Sequence, residues 1–164
     1  MKKIFQYGLL LSFVGYIFSC APRGKNPEEM IAAAKALDQR FITAYKNLDA
    51  DGVAACYWKS PQLVNYQPAA LQEKGWQEVK RGLEEFFSSV RKLELELLET
   101  NYNVIGDAVL GWGIWHMTIH TPDGQSMEMK GRFSDVKAER DGKWVYIFDH
   151  VSVPLPPPPD ALPK

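Results

Sequence analysis

Near residue 93 the hydrophobic period of this chain changes from helical to alternating, and that change decides what the chain can fold into. Upstream, Met30, Ala34, Leu37, Phe41, Ala44 and Leu48 recur at spacings of four and three, which predicts one apolar stripe on a helix of about six turns. Asn26 stands where it would cap that helix, with Pro27 in its first position and Glu29 placed to complete a capping box. Asp49 predicts a second short helix reaching Tyr57. Past Pro61 the residues 62–67 read as a short strand, a loop containing Pro68 follows, and Trp76, Val79, Leu83, Phe86 and Val90 mark a third one-sided helix. Downstream, Leu93, Leu95 and Leu97 alternate with Glu94 and Glu96 in a long strand that runs to Gly106-Asp107. Residues 108–121 and 125–140 predict two more strands, separated by a Pro122-Asp123-Gly124 turn, and Asp141-Gly142 turns into the last one. Three helices followed by four long antiparallel strands is an α+β layout with the helices on one face of the sheet.

The closing stretch, 142–154, is dense in β-branched and aromatic residues. Trp144, Tyr146 and Phe148 fall on one face and Val145, Ile147, Val151 and Val153 on the other, so neither face suits full exposure and the strand belongs inside the sheet. Asp149 and His150 interrupt this apolar run, and one of them must point to the covered side. That makes them the first candidates for a site.

The first twenty residues read differently. Lys2 and Lys3 precede an apolar run from Ile4 to Phe18 that is short for a bilayer span, and Ser19-Cys20 ends it. The pattern is similar to a bacterial lipoprotein signal, in which the cysteine receives lipid and becomes the new N-terminus. An ordinary secretory signal with an incidental Cys20 is the alternative. The expected organisation is a signal peptide over 1–19, a lipidated linker over 20–26, one folded domain over 27–153 and a proline-rich tail over 154–164. Such a protein would be exported and tethered to a membrane of the bacterial cell envelope through Cys20. Of 19 basic residues two lie in the leader, leaving 17 against 20 acidic ones, which argues against a nucleic-acid partner. Cys56 is the only other cysteine and reads as a buried structural thiol.

Three segments tie the chain to a known fold: Asn47-Leu48-Asp49-Ala50-Asp51-Gly52 at the end of the first helix, Gly75-Trp76 at the start of the third, and Arg140-Asp141-Gly142-Lys143-Trp144 with Asp149-His150-Val151-Ser152 at the end. Over roughly 27–153 the chain resembles the nuclear transport factor 2-like superfamily, and within it the SnoaL-like and ketosteroid-isomerase-like proteins. The resemblance implies a cone, a strongly curved antiparallel sheet wrapped on the helices around a pocket, a shape that enzymes, binding proteins and dimerisation modules share. Steroid isomerases of this fold use a tyrosine, a basic aspartate and a protonated aspartic acid, an arrangement known as a worked case of pKa tuning. Aligned by eye, those positions fall on Phe41, Asn65 and Ser134, none of which can do the original job.

Which side chains would enter such a pocket depends on strand parity. A two-residue loop at Asp141-Gly142 pairs Ala138 with Val145, Val136 with Ile147, Ser134 with Asp149 and Arg132 with Val151, and it turns Asp135, Lys137 and Glu139 outward. A three-residue loop would bring His150 inside in place of Asp149. Carried across the preceding turn, the first register predicts a pocket cluster of His116, Arg132, Ser134 and Asp149 beside Trp112, with Asn65, Tyr66 and His150 as further candidates. Trp115, Met117 and Ile119 conflict with it, since they are apolar on the opposite parity, and a bulge at Gly113 or Gly131 would resolve the conflict. Arg132 and Asp149 form either a structural ion pair or a ligand-orienting one. His116 and His120, four residues apart on a strand, stand about 13 Å from each other, too far to share a metal. No cofactor is expected. Three classes remain: a pocket for a small, partly apolar ligand, an acid–base enzyme using Asp149 and His116, or a homodimeric scaffold built on the outer sheet face.

Overall fold

A computed structural model describes residues 25–68 and 72–155. The leader with Cys20 and the proline run at 156–159 lie outside the described residues. The chain order is helix α1 (Pro27–Lys46), helix α2 (Ala50–Ala54), strands β1 (Val64–Tyr66) and β2 (Glu73–Lys74), helix α3 (Trp76–Ser88), and strands β3 (Lys92–Ile105), β4 (Ala108–His120), β5 (Ser126–Arg140) and β6 (Lys143–Ser152). Asn26 caps α1 by accepting from the Glu28 amide, and Asp49 caps α2 by accepting from the Gly52 amide at 2.9 Å. The six strands form one sheet in the order β2-β1-β6-β5-β4-β3.

The sheet is mixed rather than purely antiparallel. The four long strands pair antiparallel as the sequence predicts, but β1 lies parallel to β6, with Asn65 beside Asp149. The short β2 strand, which has no periodic signal of its own, pairs antiparallel with β1 and sets Glu73 beside Asn65. Helices and loops cover the concave side of the sheet. There Leu37, Val53, Leu63, Val79, Leu93 and Trp115 contribute to the main apolar core. A smaller cluster of Met30, Ala34 and Val109 closes the far end of α1.

The register corrects the sequence reading at one place. The Asp141-Gly142 hairpin pairs Arg140 with Lys143 and Ala138 with Val145 as expected, and then the pairing slips: Lys137 faces Tyr146 while Val136 faces Phe148. Ile147 is the extra residue, a bulge that reverses the parity of everything after it. A second shift leaves out Leu98 on β3. Neither bulge falls at Gly113 or Gly131. Those glycines are points of close approach instead, where a methyl group at Gly113 would overlap the Glu99 carbonyl oxygen and one at Gly131 would overlap that of Ser152. Between β4 and β5 the register is unbroken, so Trp115, Met117, Gly111 and Val109 share the concave face with Met129, Phe133, Asp135 and Lys137.

Gly113→Ala is expected to lower the melting temperature by about 5–10 °C, since the backbone of β3 cannot yield to the added methyl and overpacking of this kind costs about 2 kcal/mol. Thermal unfolding followed by circular dichroism checks it, and an unchanged midpoint would contradict the close approach.

Candidate functional site

The concave side of the sheet does not close fully on the helices. A cavity of about 300 Å³ remains, walled by aromatic side chains that include Phe41, Tyr45, Phe86 and Phe133 and floored by polar ones. Helix α1 supplies Phe41 and Tyr45 because they lie on its covered face. Phe41 meets Tyr57 and Tyr146 edge-on, at ring-centroid separations of 6.0 and 5.4 Å.

At the narrow end lies a buried charge cluster. Lys137 has no exposed surface, and its ammonium stands 2.7 Å from Asp135 Oδ1 and 3.1 Å from Asp38 Oδ1. Asp38, on the covered face of α1, also accepts hydrogen bonds from the Tyr146 hydroxyl and, at 2.7 Å, from that of Tyr102. Gly111 makes this pairing possible, since a methyl there would sit 2.6 Å from Asp135 Oδ1 and 2.7 Å from the Lys137 ammonium. The rings of Tyr102 and Tyr146 stack against the ammonium at 5.3 and 5.1 Å.

Beside this cluster, Asp149 is the cross-strand partner of Asp135 and is 7% exposed. Its Oδ2 accepts from the Tyr57 hydroxyl at 2.6 Å, and it touches no cation among the described residues. Nearer the mouth, Gln67 donates to Asn65 at 2.7 Å and Asn65 to Glu73 at 3.1 Å. Gly82 leaves α3 open where the Glu73 carboxylate lies against it. Four carboxyl groups therefore line one cavity, and Lys137 is paired with two of them, Asp38 and Asp135.

Burial raises three of these carboxyls, Asp135, Asp149 and Glu73. It pushes Asp135 up to about 7, against the lowering pull of Lys137 and with a further push from Asp149. Burial also raises Asp149, although the Tyr57 hydrogen bond and Lys137 oppose it, and raises Glu73 against the pull of Arg81 and Asn65. Tyr45, Tyr57 and Tyr146 are held protonated by burial and by the carboxylates near them, so they act as neutral donors. Among the described residues no three His, Cys, Asp or Glu side chains converge closely enough to hold a metal ion.

Of the residues singled out in the sequence, Asp149 and Asn65 line the cavity. The others do not join them. The Ile147 bulge and the constant parity of β4 put Arg132, Ser134, His116, Trp112 and His150 on the convex face, so the expected pairing of Arg132 with Asp149 is not formed. Tyr66 is also there, with its ring edge-on to Phe148 and His150. Trp112, Arg132, Ser134 and His150 line a shallow groove on that face, and His116 stands 3.9 Å from Glu128. Ser134 faces outward, and the next residue, Asp135, faces the cavity. Asp38, Tyr57, Glu73, Asp135, Lys137 and Tyr146 escaped the sequence reading. One signal was available: extending the parity of Trp115 and Met117 through β5 without a bulge places Asp135 and Lys137 inside.

A family model described as a SnoaL-like domain matches residues 34–156 of the chain. None of the curated proteins compared with the chain matches it. Among solved structures, an NTF2-like superfamily protein from Salmonella enterica serovar Typhimurium superposes with a TM-score of 0.75 at 20% identity, covering 83% of this chain and 99% of that one. A candidate dehydratase of the NTF2-like family from Streptomyces avermitilis gives 0.73 at 14% identity, over 79% and 100% of the two chains. An uncharacterized protein with a cystatin-like fold from Caulobacter vibrioides gives 0.66 at 23%, over 81% and 93%. At these identities the likeness is one of fold.

Asp135 holds its proton more tightly folded than unfolded, so its contribution to stability is fully present below about pH 4 and is lost as the pH rises through about 7. Relative to wild type, Asp135→Asn is therefore expected to gain stability between pH 4 and pH 8, by up to roughly 4 kcal/mol. Urea unfolding across that range measures it. A stability difference independent of pH would show that Asp135 titrates normally.

Proposed function

The chain belongs to the SnoaL-like domain family, and from that premise we propose that its cavity binds a small, partly apolar molecule whose polar end meets Asp149 and the Tyr57 hydroxyl. The observation that carries this reading is the join of an aromatic wall to a buried polar floor in one enclosed space. Apolar walls with a few convergent polar groups are the usual make-up of a small-molecule pocket, and about 300 Å³ is at the small end of that range. A core needing only stability would gain by filling the space, since a cavity costs packing energy and buried carboxyls cost desolvation.

A second reading, acid–base catalysis, is favoured by Asp135, whose carboxyl near pH 7 can either give or take a proton. His116 has no part in it from the convex face. Asp149 and Asp135 are the pair that would act. The dehydratase description of the Streptomyces avermitilis structure is compatible with this chemistry, and it describes that protein.

The setting we propose is the bacterial cell envelope, with the domain held to a membrane by lipid on Cys20 and its convex face against a second copy of the chain. Supporting the anchor is the leader itself, two lysines, an apolar run and Ser19-Cys20. Supporting the dimer are aromatic and apolar groups exposed on the convex side, Trp112 and Tyr66 among them.

Small molecules extracted from denatured full-length protein and identified by mass spectrometry should include one enriched species, reduced about ten-fold or more by Leu83→Trp, which fills the cavity. Equal recovery from both proteins would place the molecule elsewhere. Wild type should fractionate with membranes and Cys20→Ser should not, whereas wild type found wholly in the soluble fraction would end the anchor reading. Light scattering of the protein without its leader at micromolar concentration should report a dimer, and a monomer would remove the interface.

A further inference from the structure

The cavity contains more acid than it can neutralise. Asp38, Glu73, Asp135 and Asp149 all line it, and Lys137, the ammonium that pairs with carboxylates of this lining, is already shared between Asp38 and Asp135. Asp149 faces the same space nine-tenths buried and touches no cation among the described residues; its side-chain partner is the neutral Tyr57 hydroxyl. Buried carboxylates without a counter-charge are costly, and they either keep a proton or acquire a cation.

The molecule itself shows how this interior holds an ammonium. Lys137 is accommodated, with no solvent access, by two carboxylates at 2.7 and 3.1 Å and by two tyrosine rings at 5.1 and 5.3 Å. The same two ingredients recur next door without a cation. Asp149 supplies the carboxylate and Tyr57, Phe41 and Tyr45 supply the rings, with Phe41 and Tyr45 5.1 Å apart and Phe41 and Tyr57 6.0 Å apart. Aromatic faces attract organic cations most strongly where water is excluded. A metal ion would need three convergent ligands, and the described carboxylates do not converge in that way. An inorganic cation would also leave the aromatic wall unused. An amine carrying an apolar group satisfies both halves of the site.

This rests on the reading of the cavity as a small-molecule pocket and adds the class of its occupant. We propose that the cavity selects a small organic cation, an alkyl- or arylalkyl-ammonium whose charged end sits against Asp149 and whose apolar end lies among the aromatic walls. Binding is then linked to proton release. The titratable and charged groups around the incoming charge are Asp38 and Tyr45 on α1, Tyr57 after α2, Glu73 on β2 with Arg81 of α3 acting on it, Asp135 and Lys137 on β5, and Tyr146 beside Asp149 on β6. The ammonium takes the place of protons that burial holds in the site, so Asp135, raised to about 7 and neighbour to the incoming charge, ionises as it enters.

Three probes of matched size separate the possibilities: phenethylamine, phenethyl alcohol and phenylacetate, titrated calorimetrically into full-length protein at pH 7 in buffers of different ionisation enthalpy. The amine should bind about ten-fold or more tighter than the alcohol, and the acid should bind weakest. The observed heat for the amine should vary with buffer in the sense of proton release, while that for the alcohol should not. In Asp149→Asn the amine's advantage should fall to about three-fold or less with alcohol binding retained, and Glu73→Gln should reduce it by less. Alcohol binding as tight as the amine, or amine binding with no proton release, would overturn the cation inference while leaving the pocket reading in place. Failure of all three probes to bind at millimolar concentration, with Leu83→Trp yielding the same extracted molecules as wild type, would remove both.

Discussion

A lysine with no exposed surface organises this fold. Lys137 stands on β5, inside the sheet, and points into the cone, where Asp38 reaches it from the first helix and Asp135 from its own strand. An unpaired ammonium at that depth is untenable, so the helix and the sheet are held in one relation by the need to keep both carboxylates on it. Tyr146 and Tyr102 bring β6 and β3 to the same aspartate. Gly111 on β4 clears the space. Five elements therefore converge on one charge, and the arrangement constrains their geometry in a way that apolar packing, which tolerates sliding, does not.

The polar cluster also explains why the cone stays hollow. Asp149 and Glu73 both border the cavity, where a ligand can ease a desolvated carboxyl. Filling that space with aliphatic groups would strand them. The aromatic walls come from positions on α1, α3 and the long strands that the apolar stripe would fill in any case, so the pocket arises from the same pattern that builds the core.

Much of the fold was legible in the sequence because periodicity is local. The helical stripe from Met30 to Leu48, the alternation from Leu93 and the turn at Asp141-Gly142 each carry their meaning within a few residues, and the elements they predict are present. The parallel pairing of β1 with β6 was not legible, since nothing in residues 64–66 states which distant strand they join. The site was less legible than the fold for one reason in particular. Gathering Val136, Ala138, Val145 and Ile147 on the covered face is a sound rule where interiors are apolar, and here the interior prefers Asp135, Lys137 and Tyr146. A single bulge at Ile147 then restores Asp149 to the inside and carries His150 out, beside the Ser134 that the β4–β5 register already turns outward. Asp149 was found for its placement in an apolar strand, and its partner Tyr57 was missed, like the Asp38 that pairs with Lys137, because tertiary contact alone brings them in.

Burial in this interior holds protons on carboxyl groups against the pull of Lys137, and for Asp135 that proton exchanges near neutral pH. Carbon-13 NMR of selectively labelled aspartate carboxyls, followed from pH 3 to pH 9 without added ligand, reads that directly. The account predicts that Asp135 titrates with a midpoint of about 7 and Asp149 above the ordinary carboxylate range. Both groups titrating near pH 4, like aspartates in water, would contradict it.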